Sequence, residues 1–165
     1  MAETAHERMV RYLQDAYGVE TGLVPKLQDM ADEVKDPEVA RLFLEHRLET
    51  QEQAHRLEAR IRAYGEEPSM GKSFMMQAAA KISDAIGSLH DKEDKTVQDL
   101  MQAFGTENFE CAVYEAMEAY AIAINDTETA NLAKMHKDQE ANTAKKIWPH
   151  IARCSAATVA AVATA

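Results

Sequence analysis

The chain has 165 residues and is 46% hydrophobic, enough for one domain with its own core, yet no apolar run approaches the ~18 residues that a membrane span requires. Its 28 acidic and 18 basic residues leave a formal charge of −10, which excludes general nucleic-acid binding, because that depends on clustered Lys and Arg displacing counterions. Only six glycines and four prolines occur, and the abundance of Ala, Glu, Leu, Lys, Gln and Met predicts an all-α chain.

The first helix is expected from about His6 to about Glu33. Met9, Val10, Leu13, Ala16, Tyr17, Leu23, Val24, Leu27, Met30 and Ala31 recur mostly at spacings of three and four. Glu20 fills the gap in that stripe. Pro25 removes a hydrogen bond one turn back and so predicts a kink. Asp36-Pro37 starts the second helix, with Asp36 as N-cap and Pro37 at the first helical position. Its stripe of Val39, Leu42, Phe43, Leu57, Ile61 and Tyr64 is interrupted by a polar patch, His46, Glu49, Thr50 and Gln53, and Gly65 closes it.

Residues 65–95 predict a long crossover holding a short extra helix, with Met75, Ala78, Ala79, Ile82, Ala85, Ile86 and Leu89 along it. A bundle with one crossover needs such a connection. The third helix carries Val97, Leu100, Met101, Phe104, Cys111, Tyr114, Met117 and Ala121, with Glu107 near its centre. Glu110 lies about 60° away, at the edge of the stripe. Glu118 shares the face but stands three turns farther on, where water reaches the bundle's end. Asn125-Asp126-Thr127 break the chain, and Asp126 or Thr127 caps the next helix. That fourth helix shows Leu132, Ala133, His136, Ala144, Ile147, Trp148 and Ile151, with Glu140 at its centre and fraying expected at Pro149. The bundle is thus expected over residues 1–154, and 155–165 form an Ala-rich tail, disordered or loosely helical.

Glu20, Glu49, Glu107 and Glu140 each interrupt the apolar stripe of a separate helix near its middle. Helices of about 25 residues run roughly 38 Å, so antiparallel packing brings mid-helix residues to one level. A single inward Glu is most simply a partly exposed residue on a helix flank. Four at matched depth are not, because each unpaired buried carboxylate costs several kcal/mol and the set demands a compensating cation. Carboxylates suit Fe²⁺ or Mn²⁺, and two can bridge a metal pair.

His46 and His136 also face inward, as metal ligands, as hydrogen-bonding support for a ligand, or as buried histidines with no metal role. Tyr17 and Tyr114 lie a turn from Glu20 and Glu110 and read first as core tyrosines, with hydrogen bonds to the carboxylates or electron transfer as the alternatives. Cys111, one turn past Glu107, reads first as a small buried hydrophobe and alternatively as lining the site. Thr143 stands three residues after Glu140, where a His ligand is common. Glu52-x-x-His55 fits Glu-x-x-His as a string but falls off the inward face, so it reads as surface.

Four segments carry a family resemblance: Leu13-x3-Tyr17-x2-Glu20 with Leu23, Pro25 and Lys26; His46-x2-Glu49-Thr50-x2-Gln53-x2-Arg56-Leu57-Glu58; Glu107-x-Phe109-Glu110-x3-Tyr114; and Glu140-x2-Thr143. Over about residues 8–150 the chain resembles the ferritin-like family of small bacterial stress proteins of the YciE/YciF type. The resemblance implies a ferritin-like antiparallel four-helix bundle, a homodimer, and two metal ions per chain, iron or alternatively manganese. It implies Glu20, Glu49, Glu107, Glu110 and Glu140 as ligands. His46, Gln53, Tyr114, His136 and Thr143 stand around them as supporting residues or further ligands. The chain departs from the pattern at Asn108, where family members often have His, and at Glu49 and Glu140, which no His follows three residues later. A histidine-poor site favours Mn²⁺ or holds iron more loosely.

Three functions compete: a ferroxidase-, peroxidase- or catalase-like oxidoreductase that oxidises Fe²⁺ or consumes O₂ or peroxide in stress protection; a protein that binds or buffers metal without turnover; and a metal-free helical interaction module. The expected partners are metal ions and O₂ or peroxide, with no nucleic acid and no membrane. Cys111 and Cys154 form no Cys-x-x-Cys pair, and Met-Ala-Glu-Thr-Ala-His-Glu lacks the plan of a signal peptide, so a reduced, cytoplasmic location is expected.

Overall fold

The structure, a computed structural model, describes residues 3–69, 81 and 95–162. Among them are four long helices and no strand: α1 (Ala5–Glu33), α2 (Pro37–Ala63), α3 (Lys95–Ala123) and α4 (Thr127–Val162). Local chemistry sets their ends. Thr4 caps α1 in a reciprocal box with Glu7. Asp36 Oδ1 accepts from the backbone N–H groups of Glu38 (2.9 Å) and Val39 (3.2 Å), with Pro37 just inside the helix. Gly65 follows α2 at φ +82°, and Asn125 turns the chain after α3 at φ +62°, a left-handed conformation that Asn tolerates better than most residues. Asp126 Oδ1 then accepts from the Thr129 N–H at 3.1 Å and caps α4.

α1 packs closely on α2, and α3 on α4, making two hairpins; the hairpins meet more sparsely, α1 against α3 and α2 against α4. Two apolar clusters fix the directions. One joins Leu27 and Met30 of α1, Val39 and Phe43 of α2, Leu100 of α3 and Ile147 of α4. The other joins Met9 and Leu13, Leu57 and Ile61, Tyr114 and Met117, and Ala130 and Ala133. Early residues of α1 and α4 thus meet late residues of α2 and α3, as in the one-crossover four-helix plan. Burying a side chain such as Leu13, Leu57 or Ile61 stabilises by about 1.5–3 kcal/mol, so these clusters supply the folding drive from either end. A polar layer lies between them.

Both described ends of the crossover are held by α1. Gln14 donates to the Glu67 carbonyl and accepts from the Ser69 N–H, each at 2.8 Å, and Lys95 Nζ sits 3.1 Å from Glu33. The extra helix expected around residues 75–89 falls outside the described residues except for Lys81, which is helical.

Two expectations change. α4 does not fray at Pro149 but continues to Val162, taking in most of the Ala-rich tail. The proline frees the carbonyl of Lys145, an exposed residue whose backbone water can satisfy. α1 runs through Pro25, also on an exposed position, over the span expected of it. Trp148 is 62% exposed rather than inward. Its neighbour Ile147 takes the core position, and the indole rests on Phe104 with ring centres 5.0 Å apart.

Candidate metal centre

The polar layer is built from helix periodicity. On α2, His46, Glu49, Thr50 and Gln53 follow one another by turns; on α3, Glu107 and Glu110 are one turn apart; on α4, His136, Glu140 and Thr143 repeat the pattern. Antiparallel packing brings these stretches level with Glu20 on α1. Glu20, Glu107, Glu110 and Glu140 are each at most 2% exposed, and His46, Thr50, Gln53, His136 and Thr143 are buried with them. Glu49 differs: it is half-buried and reaches the surface.

His46, Glu107 and Glu140, one each from α2, α3 and α4, offer ligand atoms that all lie within 4.8 Å of one another. His46 Nε2 is 3.0 Å from Glu107 Oε1, yet without the alignment of a hydrogen bond. Gln53 Nε2 donates to Glu140 Oε1 at 2.5 Å. The Tyr114 hydroxyl donates to Glu20 Oε1 at 2.5 Å, and its ring stands edge-on to His136 with centroids 5.0 Å apart. Thr143 Oγ1 donates to Glu49 Oε2 at 3.0 Å.

Among the described residues, no Lys or Arg is buried with this layer. Burial raises the Glu107 carboxyl to about 8. Burial, then the neighbouring Glu140, pushes Glu20 well above the ordinary carboxylate range. Glu110 rises through burial and the nearby Glu20 and Glu140, and Glu140 through burial and Glu107. Burial also lowers His46 to about 4 and His136 to about 3, so both rings are neutral near pH 7 and keep a lone pair for donation.

Both oxygens of Glu107 and of Glu110, and both ring nitrogens of His46 and His136, lack a hydrogen-bond partner among the described residues. Leaving such a buried group unsatisfied costs about 1–3 kcal/mol. Unpartnered oxygen and imidazole donors at this density fit a borderline divalent cation.

Other residues read from the sequence lie outside the layer. Glu52 and His55 are exposed, and Glu52 pairs with Arg56 at 3.1 Å. Glu118 meets Lys137 at 2.5 Å toward the bundle's end. Tyr17 is partly buried against the apolar cluster that contains Leu13. The half-buried Cys111 turns its thiol to the Lys137 carbonyl, 3.7 Å away. Sequence reasoning missed Asp99, buried and held by Lys95 at 2.6 and 2.7 Å, and the ionic network of Arg60 with Asp126 and Glu128. Asp99 carried a readable signal, a Lys four residues earlier. Arg60 had none, because its partners lie on the other hairpin.

The family described as "Domain of unknown function (DUF892)" matches residues 4–160. The chain belongs to that family. Its fold is also that of the Escherichia coli stress protein YciF (TM-score 0.80, 19% identity, covering 93% of this chain and 98% of YciF). YcfI of Rhodopseudomonas palustris is similar as well (TM-score 0.76, 21% identity, 87% and 92% covered). So is a protein of Xanthomonas campestris pv. campestris (TM-score 0.74, 24% identity, 94% of each chain). Together these findings support the YciE/YciF-type resemblance and the four-helix bundle. No curated protein matches the chain. No helix among the described residues is long and apolar enough to cross a membrane.

Proposed function

We propose that this chain is a two-metal carboxylate protein, binding iron in the first instance, that oxidises Fe²⁺ or consumes O₂ or peroxide in stress protection. One observation carries the reading: four carboxylates at most 2% exposed share a layer with two neutral histidines, and most of their polar atoms lack protein partners. His46, Glu107 and Glu140 would hold one ion, and Glu20, Glu110 and Glu49 would supply donors for a second. Bound iron would supply one-electron chemistry that no side chain here provides.

The remaining roles belong to the protein. Glu107 and its neighbours carry protons when no cation is present and release them on binding, which makes affinity rise with pH. Gln53 fixes the Glu140 carboxylate, Tyr114 fixes Glu20, and Thr143 fixes Glu49. The two apolar clusters keep water from the layer's ends.

A second reading, metal held without turnover, is favoured by Asn108. Its side chain is exposed and donates to the Phe104 carbonyl at 2.7 Å, so it adds no nitrogen ligand where relatives of this type often have His. Elemental analysis of the parent and of Glu49→Ala and Glu140→Ala, together with oxygen and peroxide consumption, tests both readings. Two ions per parent chain, lost in the variants, with catalytic consumption of oxidant establish the first. The same stoichiometry without consumption establishes the second, and a metal-free parent after exposure to iron and manganese eliminates both.

A further inference from the structure

Four of the five candidate carboxylate ligands and both histidines are sealed from water, so an ion needs a way in. Glu49 marks it, because it alone of the set reaches the surface. It lines two adjoining cavities on the seam between α2 and α4. One, of about 140 Å³, runs past Leu42, Glu45, Thr143 and Lys146 to His46. The other, of about 520 Å³, opens beside Lys134, Asp138 and Gln139. At the foot of the smaller cavity is His46, 4% exposed, with neither ring nitrogen hydrogen-bonded among the described residues. A sealed, unpartnered donor at the bottom of a cleft is the group an incoming cation meets after Glu49.

Two further cavities among the described residues do not reach the layer's donors. The cavity on the α1–α3 side is lined by Tyr12, Phe109, Val113 and Met117, and the one on the α1–α2 side by Tyr17, Val24, Pro25 and Ala54; neither includes a candidate ligand. Both described ends of the crossover attach to α1, diagonally opposite α4. The α2–α4 seam is also one of the two along which the hairpins pack most sparsely.

We propose that divalent cations enter and leave through the α2–α4 cleft, passed from Glu49 to His46, with the exposed Glu45 and Lys146 at its mouth setting the local field. This rests on the metal-binding reading above and assigns it a route. Glu45 attracts the incoming charge and Lys146 repels it, so the two oppose each other in rate. Neither belongs to the ligand set, so the number of ions bound at equilibrium stays the same.

The test uses the full-length chain and Co²⁺, whose visible absorption reports coordination, in stopped-flow mixing at low ionic strength. Glu45→Lys is expected to slow uptake about fivefold and Lys146→Glu to speed it by about the same factor, the scale expected of electrostatic steering. Both effects shrink as salt screens them toward about 1 M. Asp15→Lys, at the α1–α3 cavity, is the control and leaves the rate within about twofold of the parent. If the parent binds cobalt but the mouth variants keep its rate, or if Asp15→Lys slows uptake as Glu45→Lys should, the cleft is not the route and only this inference falls. A parent that binds no cobalt removes the route and the metal-binding reading together.

Discussion

Two clusters of polar side chains among the described residues are opposites. At the end where α2 finishes and α4 begins, Arg60 spreads its guanidinium over Asp126 (2.6 Å), Glu128 (2.5 Å) and Thr129 (2.7 Å). Tyr64 and Thr129 donate their hydroxyls to the other Asp126 oxygen. Burial pulls the Asp126 carboxyl up, but Arg60 and the two hydroxyls outweigh it and hold that carboxyl far below its usual value. In the middle of the bundle, buried acids gather with no buried Arg or Lys among the described residues and are pushed the other way. Burial of a carboxylate therefore does not distinguish a strut from a socket. The presence or absence of an internal countercharge does.

The largest effect expected from that contrast is on metal loading. An ion present at a hundred times its Kd stabilises by about 2.7 kcal/mol, which in a domain of this size raises Tm by about 5–10 °C. Calorimetry with Fe²⁺ under nitrogen or with Mn²⁺ checks it, and Glu107→Ala or Glu140→Ala should erase the rise.

Next comes pH. Glu107 moves from an ordinary value of 4.5 in the unfolded chain to about 8 in the folded one, with burial as the main cause. A raised folded value contributes stability that is complete below 4.5 and lost as pH climbs toward 8. Metal-free protein should therefore melt at progressively lower temperature from pH 5 to 8, while loaded protein moves upward because the ion has displaced the protons. His46 acts at the acid side: its folded value of about 4 against 6.5 means that stability is lost as pH falls between those limits. Parallel pH curves for the loaded and metal-free forms would sink the contrast.

Arg60→Ala should cost about 2 kcal/mol in urea unfolding, since it strands Asp126, and should leave metal stoichiometry unchanged. Glu107→Gln should do the reverse. Removing one acid from the crowded layer should raise metal-free stability at pH 8 by about 1 kcal/mol while abolishing the metal-induced shift, as expected where function is maintained against stability. His55→Ala should stay within about 0.5 kcal/mol of the parent and bind the same metal, because the exposed Glu52-x-x-His55 string is outside the layer.

Much of the bundle and its polar layer is legible in the sequence, for identifiable reasons. Asp36-Pro37, Gly65 and Asp126 act within a few residues of themselves, so they fix the helix ends without knowledge of the fold. Glu20, Glu107 and Glu140 share a depth because antiparallel rods of similar length force mid-points together. Harder to read is anything that depends on rotation about a helix axis. Ile147 and Trp148 are adjacent and both apolar, and only packing against the other helices decides which turns in. Glu49 has the same difficulty: it falls on the inward arc but at its rim. The orientation of His46 toward Glu107 depends on two helices that are diagonal in the bundle, as does the reach of Arg60 to the opposite hairpin on its own pair, and sequence spacing carries neither.

The donors are divided between the hairpins: Glu20, His46 and Glu49 come from the first, and Glu107, Glu110, His136 and Glu140 from the second. On the proposed function, each captured ion is a rivet through two plates that elsewhere meet through apolar side chains. Loading then ties the halves together and unloading lets them breathe, so amide hydrogens facing the joint would exchange more slowly in the loaded protein while those within either hairpin change little. Metal status would then be written into the stiffness of the joint between the hairpins rather than of the hairpins themselves.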